Sequence, residues 1–530
     1  MIRLVPPLAT ERSRLIAALA ASGPVDMVVI GGGATGLGVA LDAALRGLSV
    51  VLLESHDFAK GTSSRATKLV HGGVRYLAQG NMALVREALH ERTTLLRNAP
   101  HLARPLAFVM PGYKCWETPF YGVGLKLYDA LAGKAGLGAT EFLSQAETLG
   151  CIPGVRAQGL KGGVKYWDGQ FDDARLALAL ARTAAAQGAL VINYCPVTGL
   201  IHDQGKVAGV QCRDAETGES YTVRARCVVN AAGVWVDDIR HMDGAATGRS
   251  TQAMVAPSQG VHLVVDSEFF PGEHALLVPR TRDGRVLFAV PWLGKVILGT
   301  TDTPSGTLDR EPLAFAQEVD FILGEAANYL RRAPTRGDVR SIWVGLRPLV
   351  RPPDNEGAST KKLSREHTVL ASPSGLVTVT GGKWTTYRAM AEDVLQKCVE
   401  AGLLDRLPPS ETAGFALVGG RGAAPRSAMA SAPGLEAYGA EAEFVRSLPG
   451  GDAVLADGLT EAMLRFAARY EYARKTEDML ARRSRLLFLD ARLAEDLAPR
   501  VAEVLREETG VDPELEDFLA LARRYRTLPG

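Results

Sequence analysis

Met27-Val28-Val29-Ile30-Gly31-Gly32-Gly33-Ala34-Thr35-Gly36 places four apolar, strand-forming residues directly before a glycine-rich turn. The turn fits G-x-G-x-x-G. A helical stretch follows over about Ala34–Arg46 and ends near Gly47, and a second strand runs from Ser49 to Leu53. Strand, turn, helix and strand in this order form one βαβ unit. Gly31 permits the tight turn, Gly33 lets the backbone approach a pyrophosphate, and Gly36 lets the helix pack closely on the strand. The helix N-terminus offers its unpaired N–H groups to the phosphates. Glu54 closes the second strand at the spacing where an acidic side chain accepts both ribose hydroxyls, which disfavours a 2′-phosphate. The unit therefore points to a dinucleotide other than NADP.

At 530 residues the chain is long enough for two or three domains, and a cleft between domains is expected. Hydrophobic residues at 47% and charged residues at 22% match an ordinary globular composition. The net charge of +1 excludes a general polyanion binder, so no nucleic acid is expected and any anion site must be local. Cys115, Cys151, Cys195, Cys212, Cys227 and Cys398 form no C-x-x-C pair and have no His spacing suited to zinc. They read as reduced structural thiols, and no metal is expected. Glu11, Arg12 and Arg14 interrupt the N-terminal apolar residues before a signal sequence forms. The longest uncharged stretch, Thr183–Ile201, contains Gln187, Gly188, Asn193 and Pro196 and is a poor spanning helix.

Further along, Ala189–Ile192, Val207–Cys212 and Tyr221–Val229 read as a β-meander with turns at Asp203-Gln204-Gly205 and Glu216-Thr217-Gly218. It leads into Asn230-Ala231-Ala232-Gly233, a second place where small residues allow close approach. Short apolar runs between about 251 and 375 predict an antiparallel substrate sheet. Beyond Pro408 a Pro/Gly/Ala-rich stretch to about 435 reads as linker, and residues 459–526 read as a helical domain. Residues 61–76, dense in hydroxyls and glycines, are suited to follow an extended cofactor past its pyrophosphate.

Ile30–Gly38, Thr62-Ser63-Ser64, Lys68–Leu77 (Lys-Leu-Val-His-Gly-Gly-Val-Arg-Tyr-Leu) and Gly381–Arg388 (Gly-Gly-Lys-Trp-Thr-Thr-Tyr-Arg) together resemble the FAD-dependent, respiratory glycerol-3-phosphate dehydrogenase family over about residues 26–400. The resemblance implies an α/β fold with a Rossmann-like FAD-binding domain of the glycine-oxidase and D-amino-acid-oxidase type, an antiparallel substrate-capping sheet and a C-terminal helical domain. The expected organisation is an N-terminal extension over 1–25 and an FAD-dependent oxidoreductase region over 26–400. FAD-binding parts fall at about 26–105, 170–240 and 340–400, capping parts at about 106–169 and 241–339, and linker plus helical domain at 401–530. It also implies oxidation of sn-glycerol 3-phosphate to dihydroxyacetone phosphate, electron transfer to a membrane quinone, and a homodimer.

For that reaction the cofactor contacts are expected from Gly31, Gly33, Gly36, Glu54, Thr62, Ser63, Ser64, Lys68, His71, Gly72, Gly73, Val197, Ala231, Gly233, Gly382, Lys383 and Thr385. A dianionic phosphate beside a flavin needs several cationic donors, and a guanidinium fork suits it. Arg75, Arg347, Arg365 and Lys383 are the candidates, with Tyr76 and His262 as further substrate contacts. Arg365 has an alternative, pairing near Glu366 on the surface. His71, four residues from Arg75, is the candidate base, and His262 is the second. The catalytic set is His71, Arg75, Arg347 and Lys383.

Two competing functions remain at this stage. An oxidase would return electrons to O₂ and make peroxide, and a non-catalytic flavin sensor would need no clustered cations. The expected location is cytoplasmic, with peripheral contact at the inner membrane. Arg465, Arg469, Arg474, Lys475, Arg482, Arg483 and Arg485, among Met, Leu and Phe, suit an anionic surface or, alternatively, a solvated helical face.

Overall fold

In a computed structural model the described residues are 6–74, 81–281, 284–351, 366–423 and 429–530. The strand Val25–Ile30 sits at the centre of the first sheet, because a run apolar at every position is stable only when both faces are covered. Its alternate residues feed two cores. Met27 and Val29 pack with helices Ala34–Leu45, Asp173–Ala186 and Tyr387–Glu400, while Val28 and Ile30 pack with Leu19, Ile239 and the meander. Five parallel strands run in the order Leu376–Gly381, Ser220–Asn230, Val25–Ile30, Val50–Leu53, Leu190–Ile192.

That order corrects the meander. Leu190–Ile192 belongs to the parallel sheet, paired with Val51–Leu53. The first meander strand is instead Val197–Asp203, which pairs antiparallel with Lys206–Arg213. Three residues of apolar sequence suit either sheet, and only the partner strand decides.

Among the described residues the second sheet is almost wholly antiparallel and holds ten strands. Val255–Asp266 lies between Ser341–Val350 and Lys295–Gly299. The sheet also takes in Ala103–Gly112 and Gly162–Phe171, strands at either end of the first expected capping part.

The stretch read as linker is docked. Leu417 N–H donates to Asn98 O (3.0 Å), Val418 N–H to Thr183 Oγ1 (3.0 Å), and Asn98 Nδ2 to Thr412 O (2.9 Å). The helices that follow share one core with the second sheet, where Trp292 and Trp343 pack with Phe488, Met463 and Tyr525.

Three of the C-terminal cations, Arg482, Arg483 and Arg485, are buried, and the other four are partly exposed in ion pairs. Arg482 and Arg483 are fully buried on Asp57, and Arg485 pairs with Asp172 and Asp173. Arg465 and Arg469 pair with Glu508, Arg474 with Glu216, and Lys475 with Glu514. Arg482 and Arg483 find Asp57 only because the C-terminal helices dock on the loop that follows Glu54. Among the described residues no helix is long and apolar enough to cross a membrane.

Candidate active site

Gly31, at φ +110°, brings the strand end against the second small-residue segment. A Cβ here would lie 2.6 Å from Ala231 O, and Ala231 N–H donates to Ile30 O (2.9 Å). A Cβ at Gly36 would strike Gly31 O, so the helix Ala34–Leu45 packs on the turn only because no side chain is there. Ser63 Oγ accepts the Ala34 N–H at the first turn of that helix (2.9 Å). Glu54 Oε2 accepts the Gly32 N–H (2.6 Å), and its other oxygen accepts from Ser55 Oγ (3.0 Å) and His56 N (2.8 Å). Cys195 N–H donates to Glu54 O (2.8 Å), which sets Val197 two residues on, at the start of its strand, near the acidic end. Helix N-terminus, carboxylate and bare glycines thus meet in one cradle, and this donor set fits an adenine dinucleotide.

The loop Gly61–Gly73 joins that cradle to the second sheet. Thr62 Oγ1 donates to Leu346 O (2.6 Å), Trp384 Nε1 donates to Ser63 O (2.8 Å), and Thr67 Oγ1 bonds His262 Nε2 (2.9 Å). Ser64 Oγ is buried without a partner among the described residues, while Ser64 O accepts from Lys68 Nζ (2.7 Å) and Arg485 Nη2 (2.8 Å). Lys68, expected on the cofactor, is instead a fully buried cation. It pairs with Asp173 (2.7 Å) and lies over the rings of Trp292, Trp343 and Phe488 at 5.2–5.4 Å. Burial, then the Arg485 charge, pulls its amine down to about 7 against the pull of Asp173. Nothing in the local sequence marks this role, because its carboxylate and the three rings around it are remote, and only Ser64 O is local.

His71 comes beside the Gly381–Arg388 segment. Thr385 Oγ1 accepts the His71 N–H (3.3 Å) and donates to His71 O (3.4 Å). A Cβ at Gly72 would meet Leu89 side-chain carbons, and Gly73 has φ +74°. Gly381 and Gly382 both have positive φ, and they turn the chain so that Lys383 precedes the short turn Trp384–Thr386 and the helix Tyr387–Glu400. Gly233, also at positive φ, accepts from Thr380 Oγ1 (3.2 Å).

Arg347 and His262 occupy one face of the second sheet. Arg347 stands opposite Ser258, and His262 opposite Trp343, with Gly260 and Gly345 paired between them. A side chain at Gly260 would collide with the Arg347 guanidinium. Arg347 is half-buried, with Nη1 on Asp302 (3.1 Å) and Nη2 on Thr300 Oγ1 (3.1 Å). His262 stacks on Trp343 at 5.1 Å. Burial, then the charges of Lys68 and Arg347, holds its pKa well below the usual histidine range, so the ring is neutral. Arg75, Tyr76 and Arg365 lie outside the described residues.

The sequence matches the FAD dependent oxidoreductase family over residues 26–388 and the C-terminal domain of alpha-glycerophosphate oxidase over 410–516. A mitochondrial glycerol-3-phosphate dehydrogenase of Bos taurus is 41% identical over 97% of this chain and 75% of its own length. The chain belongs to the FAD-dependent glycerol-3-phosphate dehydrogenase family. The dehydrogenase is also 40% identical to the mitochondrial SDP6 protein of Arabidopsis thaliana, over 95% of this chain and 86% of that one. A solved glycerol-3-phosphate dehydrogenase from Bacillus halodurans, complexed with FAD, superposes with a TM-score of 0.75 at 30% identity, covering 97% of this chain and 98% of that one. These findings show an FAD-dependent oxidoreductase with glycerol-3-phosphate dehydrogenases as its relatives. They also correct the cytoplasmic location expected from the sequence, since the curated relatives are named as mitochondrial proteins.

Proposed function

We propose that the dehydrogenase oxidises sn-glycerol 3-phosphate to dihydroxyacetone phosphate, with hydride transfer from C2 to flavin N5 and onward passage of electrons to a membrane quinone. The carrying observation is the stitching of the dinucleotide cradle to the cation-bearing sheet face through Thr62–Leu346 and Thr67–His262. Bound FAD supplies a two-electron acceptor. This chain's residues supply the rest.

Arg347, braced by Asp302 and Thr300, binds the substrate phosphate as a planar fork, aided by Arg75, Tyr76, Arg365 and Lys383. His71 takes the hydroxyl proton, its backbone fixed on both sides by Thr385 Oγ1. His262, neutral and held by Thr67, orients the substrate without adding charge. Lys383 and the positive end of the helix behind it favour negative charge at the flavin's pyrimidine edge.

An apolar stripe supports the quinone reading. Trp116, which precedes the helix Glu117–Ala132, and Phe120, Val123 and Leu127 on it recur at helical spacing and are 45–70% exposed, with Phe142 beside them and Lys114, Lys126 and Lys134 exposed around them. Aromatic and aliphatic residues with lysines at their rim suit a bilayer surface.

An anaerobic absorbance titration with glycerol 3-phosphate tests substrate and cofactor together, and bleaching of the flavin is expected. Flavin that stays oxidised defeats the reading. Under air, reduction of a quinone analogue should far exceed peroxide formation, and the reverse ratio makes the protein an oxidase.

A further inference from the structure

Trp235 ends the turn Gly233–Trp235, immediately after the small residues that approach Gly31. One side of its ring is met by Gly61, where a Cβ would come within 3.0 Å. Gly61 directly precedes the turn Thr62–Ser64, whose Ser63 caps the helix at the pyrophosphate cradle. The indole Nε1 donates to Leu308 O (3.0 Å), which ties the ring to the loop between Thr303–Pro304 and the helix Ala316–Tyr329. That loop carries Arg310, whose guanidinium carbon lies 3.7 Å from the centre of the Trp235 ring.

The electrostatics of Arg310 are unusual for an arginine with an exposed edge. Glu311, the next residue, pairs with Arg65, whereas no carboxylate among the described residues stands within ion-pair distance of Arg310. Burial against the ring lowers its pKa, and Glu54 and Asp238 act on it only at longer range. Its charge also reaches His56, two residues past Glu54. A partly desolvated guanidinium without a counter-ion is costly, and the planar fork of an arginine stacked on an aromatic face is held in readiness for an anion that offers it two oxygens, such as a phosphate.

We propose that Arg310 closes over the adenosine diphosphate half of FAD and supplies a counter-charge to its diphosphate, with Trp235 as the platform that orients the fork. Helix N-terminus and Ser63 address the diphosphate from the nucleotide sheet, and Arg310 addresses it from the substrate sheet. Cofactor binding therefore fastens the two sheets together at the adenosine end, as Thr62 and Thr67 fasten them at the substrate end.

The test is fluorescence titration of stripped apoenzyme with FAD, and with ADP as competitor, in the wild type, Arg310→Ala, Arg310→Lys and Arg332→Ala. Arg332 stacks on Phe269 at 4.4 Å and controls for loss of a surface arginine. Arg310→Ala should raise Kd for both FAD and ADP at least tenfold, Arg310→Lys should recover part of the loss, and Arg332→Ala should match the wild type. An Arg310→Ala Kd within twofold of wild type overturns the proposal. So does a loss of FAD affinity with ADP affinity unchanged.

Discussion

Arg485 Nη2 and Asp173 Oδ1 meet 3.1 Å apart, and the other oxygen of the same carboxylate takes Lys68 Nζ at 2.7 Å. One carboxylate thus joins the C-terminal helical segment to the loop that carries Ser63 and Thr67. All three side chains are buried, so each depends on the others for its solvation.

Arg485→Met leaves Asp173 with one cation in place of two, and a broken buried pair costs about 3–5 kcal/mol. The variant should melt several degrees lower and release FAD more readily, and Arg485→Lys should recover part of both. Calorimetry with and without added FAD reads this, and an unchanged melting temperature would refute it.

Lys68 gives a pH dependence with a definite sign. Its folded pKa of about 7 lies below its unfolded value near 10.5. Between those values the unfolded chain binds the proton that the folded chain has lost, so this group makes stability rise with pH from about 7 to 10. Lys68→Met should flatten that part of the profile in denaturant melts across pH, and a profile of unchanged slope would reject the assignment.

Gly36→Val should abolish FAD retention, because even a Cβ would strike Gly31 O and a valine must push the helix off the turn. The flavin-to-protein absorbance ratio after gel filtration measures it. Normal flavin content would mean that the cradle is elsewhere.

Arg347→Ala should raise KM for glycerol 3-phosphate by about 100-fold, roughly 3 kcal/mol, while the poor turnover of free glycerol changes little. Equal effects on both substrates would remove Arg347 from the phosphate site.

Lys383→Met should slow anaerobic flavin reduction by about 10- to 100-fold and largely spare the Kd for FAD. Stopped-flow absorbance separates the two, and an unaltered rate would reject the electrostatic role.

The sequence by itself determined the nucleotide cradle. Gly31, Gly33, Gly36 and Glu54 lie within one βαβ unit, whose regular geometry returns Glu54 to the Gly32 N–H across 22 residues of chain. The motifs around His71 and Lys383 were legible for the same reason, each being a short segment with its own turn. Tertiary structure alone decided that Lys68 and Arg485 meet on Asp173 and that Arg482 and Arg483 meet on Asp57, pairs that join segments more than a hundred residues apart and are chosen by burial rather than by local pattern. It also decided which sheet took Leu190–Ile192, and it placed Arg310 over Trp235. A glycine turn is a local backbone requirement and leaves a signature in sequence. A buried ion network is a consequence of docking, and the same arginines read one by one resemble a charged surface.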